Sequence, residues 1–158
     1  TRRSSDLLML DFLKEILTKK EIQELREILD FSLEPKIEIE QLQEKIAFAN
    51  FFHSKLTKLI YKLRLIHVDL EVTFENWYAI EIHNVALSYD GFPELLKTHK
   101  DYEREIKKFP EYAEYKKLLD KVGVSIKSLE AKEKELASFD WKMKGIIDIH
   151  KIQHNIMY

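Results

Sequence analysis

The sequence predicts an all-α protein built on a long antiparallel helical hairpin, and two observations support this prediction. The first is a strict apolar rhythm of alternating steps of four and three residues, which occurs in two separate stretches. Such spacing is typical of a helix that keeps one narrow seam against a partner helix. The second is composition, because only three Gly and three Pro accompany 34% charged residues in a chain of 158. Few breakers and many Lys, Glu and Leu favour long helices over sheets.

Two short helices are predicted ahead of the hairpin. Residues 4–6 are suited to cap the first, which carries the apolar residues between Leu7 and Leu17. Thr18 and Glu21 have the spacing of a capping box at the start of the second. Residues 32–35 are expected to end it, because the residue before a proline avoids helical angles.

The first long helix is predicted from about Glu38 to about His83, followed by a turn over residues 84–93. Its seam consists of Leu42, Ile46, Ala49, His53, Leu56, Ile60, Leu63, His67, Leu70, Phe74 and Trp77. A basic helix over about residues 94–108 follows, and Pro110 is predicted to start the second long helix, ending near Gln153. The seam of that helix consists of Tyr115, Leu119, Val122, Ile126, Leu129, Glu133, Leu136, Asp140, Met143 and Ile147.

The predicted organisation is a helical arm over residues 1–35 and a long-helix hairpin core over residues 36–158. The two seams are expected to pair either within one chain or between subunits. Large apolar residues also lie off the seam and need burial, which favours a wider bundle or self-association, and we therefore expect a homo-oligomer. These off-seam residues are Phe48, Phe51, Phe52, Leu65 and Ile66.

No pattern in the sequence predicts catalysis, and we expect neither an enzyme nor a cofactor. His150 and His154 share a helix face and could supply only two metal ligands where a site needs three or four. His53 and His67 occupy seam positions, where they are interpreted as buried groups that set register, or alternatively as a pH-sensitive seam. An antiparallel hairpin allows Asp140 to lie near His53, in a buried hydrogen-bonded pair. The absence of Cys suits a reducing compartment, and without a signal peptide or a spanning segment we expect a cytoplasmic protein outside any membrane.

Two lysine-rich stripes are the candidate functional surfaces. One carries Lys97, Lys100, Arg104, Lys107 and Lys108, with Tyr102 and Phe109 nearby. The smaller one carries Lys55, Lys58 and Lys62. Cations that bind phosphates beside rings that stack on bases are typical of single-stranded nucleic-acid binding, and Tyr102 and Trp77 are the candidate stacking residues. The alternatives are a solvated helix face for the cations and seam packing for Trp77.

Over about residues 37–153, the chain resembles the UvsY-type recombination mediators of T-even-like phages. The N-terminal part of the resemblance is the run from Ile37 to Leu42 and the motif His53-Ser54-Lys55-Leu56. Trp77-Tyr78 and Tyr89-Asp90-Gly91 stand where that family has an aromatic pair and a Gly-containing turn. The remaining similarity lies at Leu129-Glu130, in the run from Trp141 to Ile147, and at Lys151-Ile152.

The resemblance implies a small helical protein that binds single-stranded DNA, acts as a homo-oligomer and loads a phage recombinase in the presence of a single-strand binding protein. A phage-encoded protein of this kind would act in the bacterial host cytoplasm. The sequence departs from the family between Leu65 and Leu96, where it contains no Lys or Arg. It also has Ile152 where the family more often has an aromatic residue. The rival interpretation is a coiled-coil assembly or adaptor protein with no nucleic-acid role.

Overall fold

The structure is a computed structural model that describes residues 4–33, 38–88 and 98–156. These residues form five α-helices and contain no strand, so the predicted all-α class is confirmed. The helices are α1 (Ser4–Leu13), α2 (Lys19–Asp30), α3 (Ile39–Ser88), α4 (His99–Lys107) and α5 (Pro110–Ile156).

Several helix boundaries follow from local sequence signals. The capping box at Thr18 and Glu21 is present at the start of α2, and Pro110 is the first residue of α5, as predicted. A second capping box, between Thr98 and Asp101, starts α4. Within the predicted basic helix, residues 94–97 lie outside the described part of the chain.

The predicted end of the first long helix is wrong by five residues, because α3 continues through residues 84–88. Val85 is buried and extends the apolar face beyond His83. The hydroxyl of Ser88 donates to the carbonyl of Asn84 at 2.9 Å, which is a common arrangement inside helices. The rest of the predicted turn, residues 89–93, lies outside the described residues.

The chain divides into two compact units that share the long helices. Unit 1 comprises Thr1–Lys62 with Ser125–Tyr158, and unit 2 comprises Leu63–Val124. The boundary at residue 35 that the sequence suggests stays a prediction.

In unit 1, the segments of α3 and α5 run antiparallel. The hydroxyl of Thr57 donates to Glu133 at 2.8 Å, and the ammonium of Lys45 lies 5.6 Å from the ring centre of Phe139. On both helices, every apolar seam residue of this unit is buried, as the seven-residue spacing predicts. These residues are Leu42, Ile46, Ala49, Leu56, Ile60, Ile126, Leu129, Leu136, Met143 and Ile147.

The short helix α2 packs onto the same unit through its apolar stripe. Ile22, Leu25 and Ile28 are buried, at the spacing of one helix face. Immediately after α2, the ring of Phe31 makes edge contacts with Phe52 and Phe139, at 5.2 and 6.3 Å between ring centres. Phe52 lies off the seam, and its contact with the end of α2 shows how the N-terminal segment covers part of the excess apolar surface.

A half-buried carboxylate, that of Glu21, links α2 to α3. Glu21 accepts a hydrogen bond from Lys62 at 2.6 Å and another from the backbone N–H of Thr18 at 2.9 Å. Burial raises the pKa of Glu21, but the hydrogen bonds from Lys62 and Thr18 outweigh it, so the pKa lies below the ordinary value of 4.5. A group with a depressed folded-state pKa stabilises the fold above its unfolded pKa, and this contribution is lost as the pH falls through the folded value.

Replacing Glu21 with Gln is therefore expected to cost about 1 kcal/mol of unfolding free energy at neutral pH. The difference from wild type should shrink well below pH 4.5, where the wild-type carboxylate is itself protonated. Urea unfolding at both pH values measures it. Glu114→Gln, at an exposed position with no described partner, serves as the control and should change little. An equal loss at both pH values would contradict the role assigned to the charge of Glu21.

Candidate nucleic-acid interface

The larger basic stripe lies on α4, and its orientation is set by one buried residue. Ile106 is fully buried, so the opposite side of this short helix is exposed. Lys100, Arg104 and Lys107 follow one another at steps of four and three and are all exposed, as is the neighbouring Lys108. Helical spacing therefore brings these four predicted cations onto one side of α4, while Lys97 lies outside the described residues.

Ion pairs divide the four cations into two classes. Arg104 lies 3.8 Å from Asp101, and Lys108 lies 2.8 Å from Glu105. In the described part of the chain, Lys100 and Lys107 have neither an ion pair nor a hydrogen bond. Since a phosphate need not compete with a carboxylate at these two positions, Lys100 and Lys107 are the strongest candidates for contact with an anion.

Aromatic contacts and a hydrogen bond attach α4 to the rest of unit 2. The ring of Phe109, just after α4, lies 6.5 Å from Trp77 in an edge contact. The Tyr78 hydroxyl on α3 is hydrogen-bonded to the carboxylate of Glu103 on α4. Burial, followed by the negative charge of Glu103, raises the pKa of Tyr78, which keeps its hydroxyl protonated as a hydrogen-bond donor. These contacts pack α4 against α3 within unit 2.

The structure separates the two candidate stacking residues. Trp77 is half-buried, with its ring centre 5.5 Å from Tyr115 and 6.1 Å from Phe74. Its neighbour Phe74 also contacts Tyr112, and the Lys116 ammonium lies 4.9 Å from the Phe74 ring centre. Trp77 therefore belongs to the packing of unit 2, which is the alternative that the seam position favours. Tyr102 is half-buried on α4, and its stacking role stays a prediction.

Two of the three lysines in the smaller stripe form ion pairs that hold α2 against α3. Lys55 pairs with Glu24 at 3.4 Å and lies over the ring of Phe51 at 4.5 Å. Lys62 pairs with Glu21 at 2.6 Å. Lys58 alone among the three is exposed and without a described partner. Two of the three predicted DNA contacts thus dock α2 onto α3.

Among the described residues, the most exposed aromatic side chain is Trp141, which is absent from the candidates that the sequence suggests. Trp141 is 79% exposed on α5 in unit 1. Lys142 beside it and Lys134, seven residues earlier, are also exposed, while Lys144 pairs with Asp140 at 3.0 Å. The sequence feature that indicates exposure of Trp141 is its position outside the seam, between Asp140 and Met143. An aromatic residue there does not face the partner helix.

The seam histidines are half-buried, and the hydrogen-bonded pair of His53 and Asp140 that an antiparallel hairpin allows is absent. Asp140 accepts a hydrogen bond from Lys144, its neighbour one turn along α5, and no hydrogen bond joins it to His53. The carboxylate that crosses to α3 in this region is Glu133, bonded to Thr57. Lys144 engages only Oδ2 of Asp140, a pairing between neighbours one helical turn apart. The other oxygen, Oδ1, is buried with no hydrogen-bond partner in the described part of the chain.

The remaining histidine pairs are local contacts along single helices. His67 lies 3.3 Å from Glu71, and His150 and His154 have ring centres 4.2 Å apart. Over the described ranges, no group of three or more His, Cys, Asp or Glu side chains gathers as a metal site would require.

No known protein family, curated protein or solved structure matches this chain. Among the described residues, no helix is both long enough and apolar enough to cross a membrane. A proposal about the function of this protein therefore depends on how its residues are arranged.

Proposed function

We propose that this protein is a recombination mediator that binds single-stranded DNA as a homo-oligomer and helps to load a recombinase onto it. The observation that supports the proposal is the exposed cationic side of α4, where Lys100 and Lys107 have no carboxylate partner among the described residues. Arg104 and Lys108 extend this surface, although each already has a carboxylate nearby. Cations of this kind bind phosphates without reading sequence, as a mediator requires.

A separate surface in unit 1 is suited to stack on nucleic-acid bases. Trp141 offers a solvent-exposed ring face, and exposed lysines lie along the same part of α5. Stacking on an aromatic ring is open to every base, so it adds affinity without sequence preference. An oligomer would repeat both surfaces, and multivalency would strengthen binding even if each single site is weak. The recombinase, the single-strand binding protein and the phage origin come from the family resemblance alone.

The alternative function is a helical adaptor that binds other proteins and no nucleic acid. The docking of α2 by Lys55 and Lys62 favours it, because those two cations serve the fold. The acidic and apolar stretch of α3 beyond Leu65 favours it as well, since it contains no Lys or Arg. The two functions differ in one property, which is salt-dependent binding of single-stranded DNA.

The test is fluorescence anisotropy of a labelled oligothymidine titrated with the full chain between about 50 and about 200 mM salt. The mediator is expected to bind at low salt, to bind more weakly as salt rises, and to prefer the single strand to a duplex of equal length. In a Trp77→Phe variant, the emission of the remaining Trp141 should be quenched on binding. Absence of binding at low salt would overturn the proposal and favour the adaptor.

A further inference from the structure

A second apolar stripe runs along α3 on the side opposite its seam. It consists of Tyr61, Leu65, Val68 and Val72, which again follow steps of four, three and four. These side chains are between 49% and 62% exposed, whereas the seam residue Leu63, which lies between Tyr61 and Leu65 in the sequence, is fully buried. An apolar stripe with coiled-coil spacing that faces solvent marks a surface for another helix.

The two ends of this stripe carry opposite charges at the same spacing. Lys58 lies three residues before Tyr61, and Glu75 lies three residues after Val72. Both side chains are exposed, and neither has a partner in the described part of the chain. The stripe from Lys58 to Glu75 is therefore symmetric in spacing and antisymmetric in charge about a point between Ile66 and His67.

We propose that the stripe from Lys58 to Glu75 pairs with the same stripe of a second copy of this chain, in antiparallel orientation. A two-fold axis between Ile66 and His67 would place Leu65 against Val68 of the second copy. The same axis places Tyr61 against Val72, and Lys58 against Glu75. In a two-fold interface every contact occurs twice, so the symmetry buries both apolar layers and joins both charge pairs.

The charges decide the orientation. A parallel pairing in register would place Lys58 against Lys58 and Glu75 against Glu75, which repel. Antiparallel pairing turns both into attractive contacts without moving any apolar residue out of its layer. A different protein partner would not require the two ends of one stripe to complement each other, and this self-complementarity is the reason to assign the surface to a second copy.

This inference deepens the homo-oligomer of the proposed function and rests on it only for the biological role of the assembly. The pairing would engage Lys58, the cation of the smaller stripe that has no partner in the described segments, between two subunits. The cationic side of α4 would then be the principal DNA contact in the assembled protein. Because self-association needs no DNA, it is measured independently of the proposed function.

The test is sedimentation equilibrium of the full chain without DNA, for wild type, Lys58→Glu, Glu75→Lys and the double variant. Wild type is expected to associate reversibly, and each single reversal should raise the dimer dissociation constant at least tenfold, because symmetry doubles each like-charge contact. The double variant exchanges the charges and should return to within about threefold of wild type. Far-UV circular dichroism checks that each variant is folded, as expected for exposed positions.

Three results would overturn the pairing: a monomeric wild type, single variants that associate as wild type does, or a double variant as weak as the singles. Glu75→Lys is the most informative variant. It adds positive charge, which favours DNA binding in general, whereas the proposed pairing requires it to weaken self-association. Oligonucleotide binding by wild type is measured in parallel. Self-association without DNA binding would leave this inference in place and remove the proposed function, and the reverse result would do the opposite.

Discussion

Replacing Leu129 with alanine is expected to lower the free energy of unfolding by about 2–5 kcal/mol, the largest effect of any single substitution considered. Leu129 is 0% exposed at a seam position of α5 in unit 1. Removing its buried side-chain carbons loses the free energy gained when they are transferred out of water. It also leaves a cavity that the closely packed seam cannot fully close. Urea unfolding followed by far-UV circular dichroism measures the loss.

The matched control is the same chemical change at an exposed site. Leu8 on α1 is 71% exposed, and Leu8→Ala should change stability by no more than about 0.5 kcal/mol. Comparable losses at Leu129 and Leu8 would contradict the assignment of the seam as the core of unit 1.

The double charge reversal Lys100→Glu and Lys107→Glu is expected to weaken single-stranded DNA binding about 25-fold near 0.1 M salt. Each phosphate contact on a single strand contributes about 0.7 to the slope of log affinity against log salt. Losing two contacts should lower that slope by about 1.4, which corresponds to this factor over one decade of salt. Both residues lack partners in the described structure, so the reversal breaks no ion pair within the fold.

The control keeps the change in net charge and moves it elsewhere. Lys19→Glu with Lys20→Glu alters two exposed lysines at the start of α2 by the same total charge. This variant should keep nearly the wild-type salt slope, because its lysines lie outside the candidate surfaces. Equal weakening by both double variants would show that net charge, and no particular surface, drives binding. The α4 stripe would then lose its assigned role.

The two lysine stripes, similar in sequence, differ in what each can do. The α4 cations include two that no carboxylate of the described segments engages, whereas Lys55 and Lys62 are bound by Glu24 and Glu21 of α2. The lysine of the smaller stripe that stays exposed, Lys58, lies at one end of the apolar stripe of α3. The proposed DNA binding and the proposed self-association therefore draw on different cations, and the variants above can separate the two proposals.

Much of the fold was predictable because its signals are local. The seam positions of unit 1 were identified from spacing alone, since a period of three and a half residues leaves one side of a helix for a partner. The capping box at Thr18 and the start of α5 at Pro110 depend on neighbouring backbone groups, and the structure has both. The sequence predicts too early an end for α3, because burial of Val85, a tertiary effect, prolongs the helix.

The sequence by itself determined which residues form helices and which side of each helix is apolar, because periodicity and capping act within a few residues. Only the tertiary structure decided which charges and rings remain available. Lys55 meets a carboxylate 31 residues away in the chain, and no local pattern shows that encounter. Trp77 packs among aromatic residues of two helices while Trp141 faces solvent, although both are tryptophans within long helices. Availability depends on partners distant in the chain, and only the folded arrangement specifies those partners.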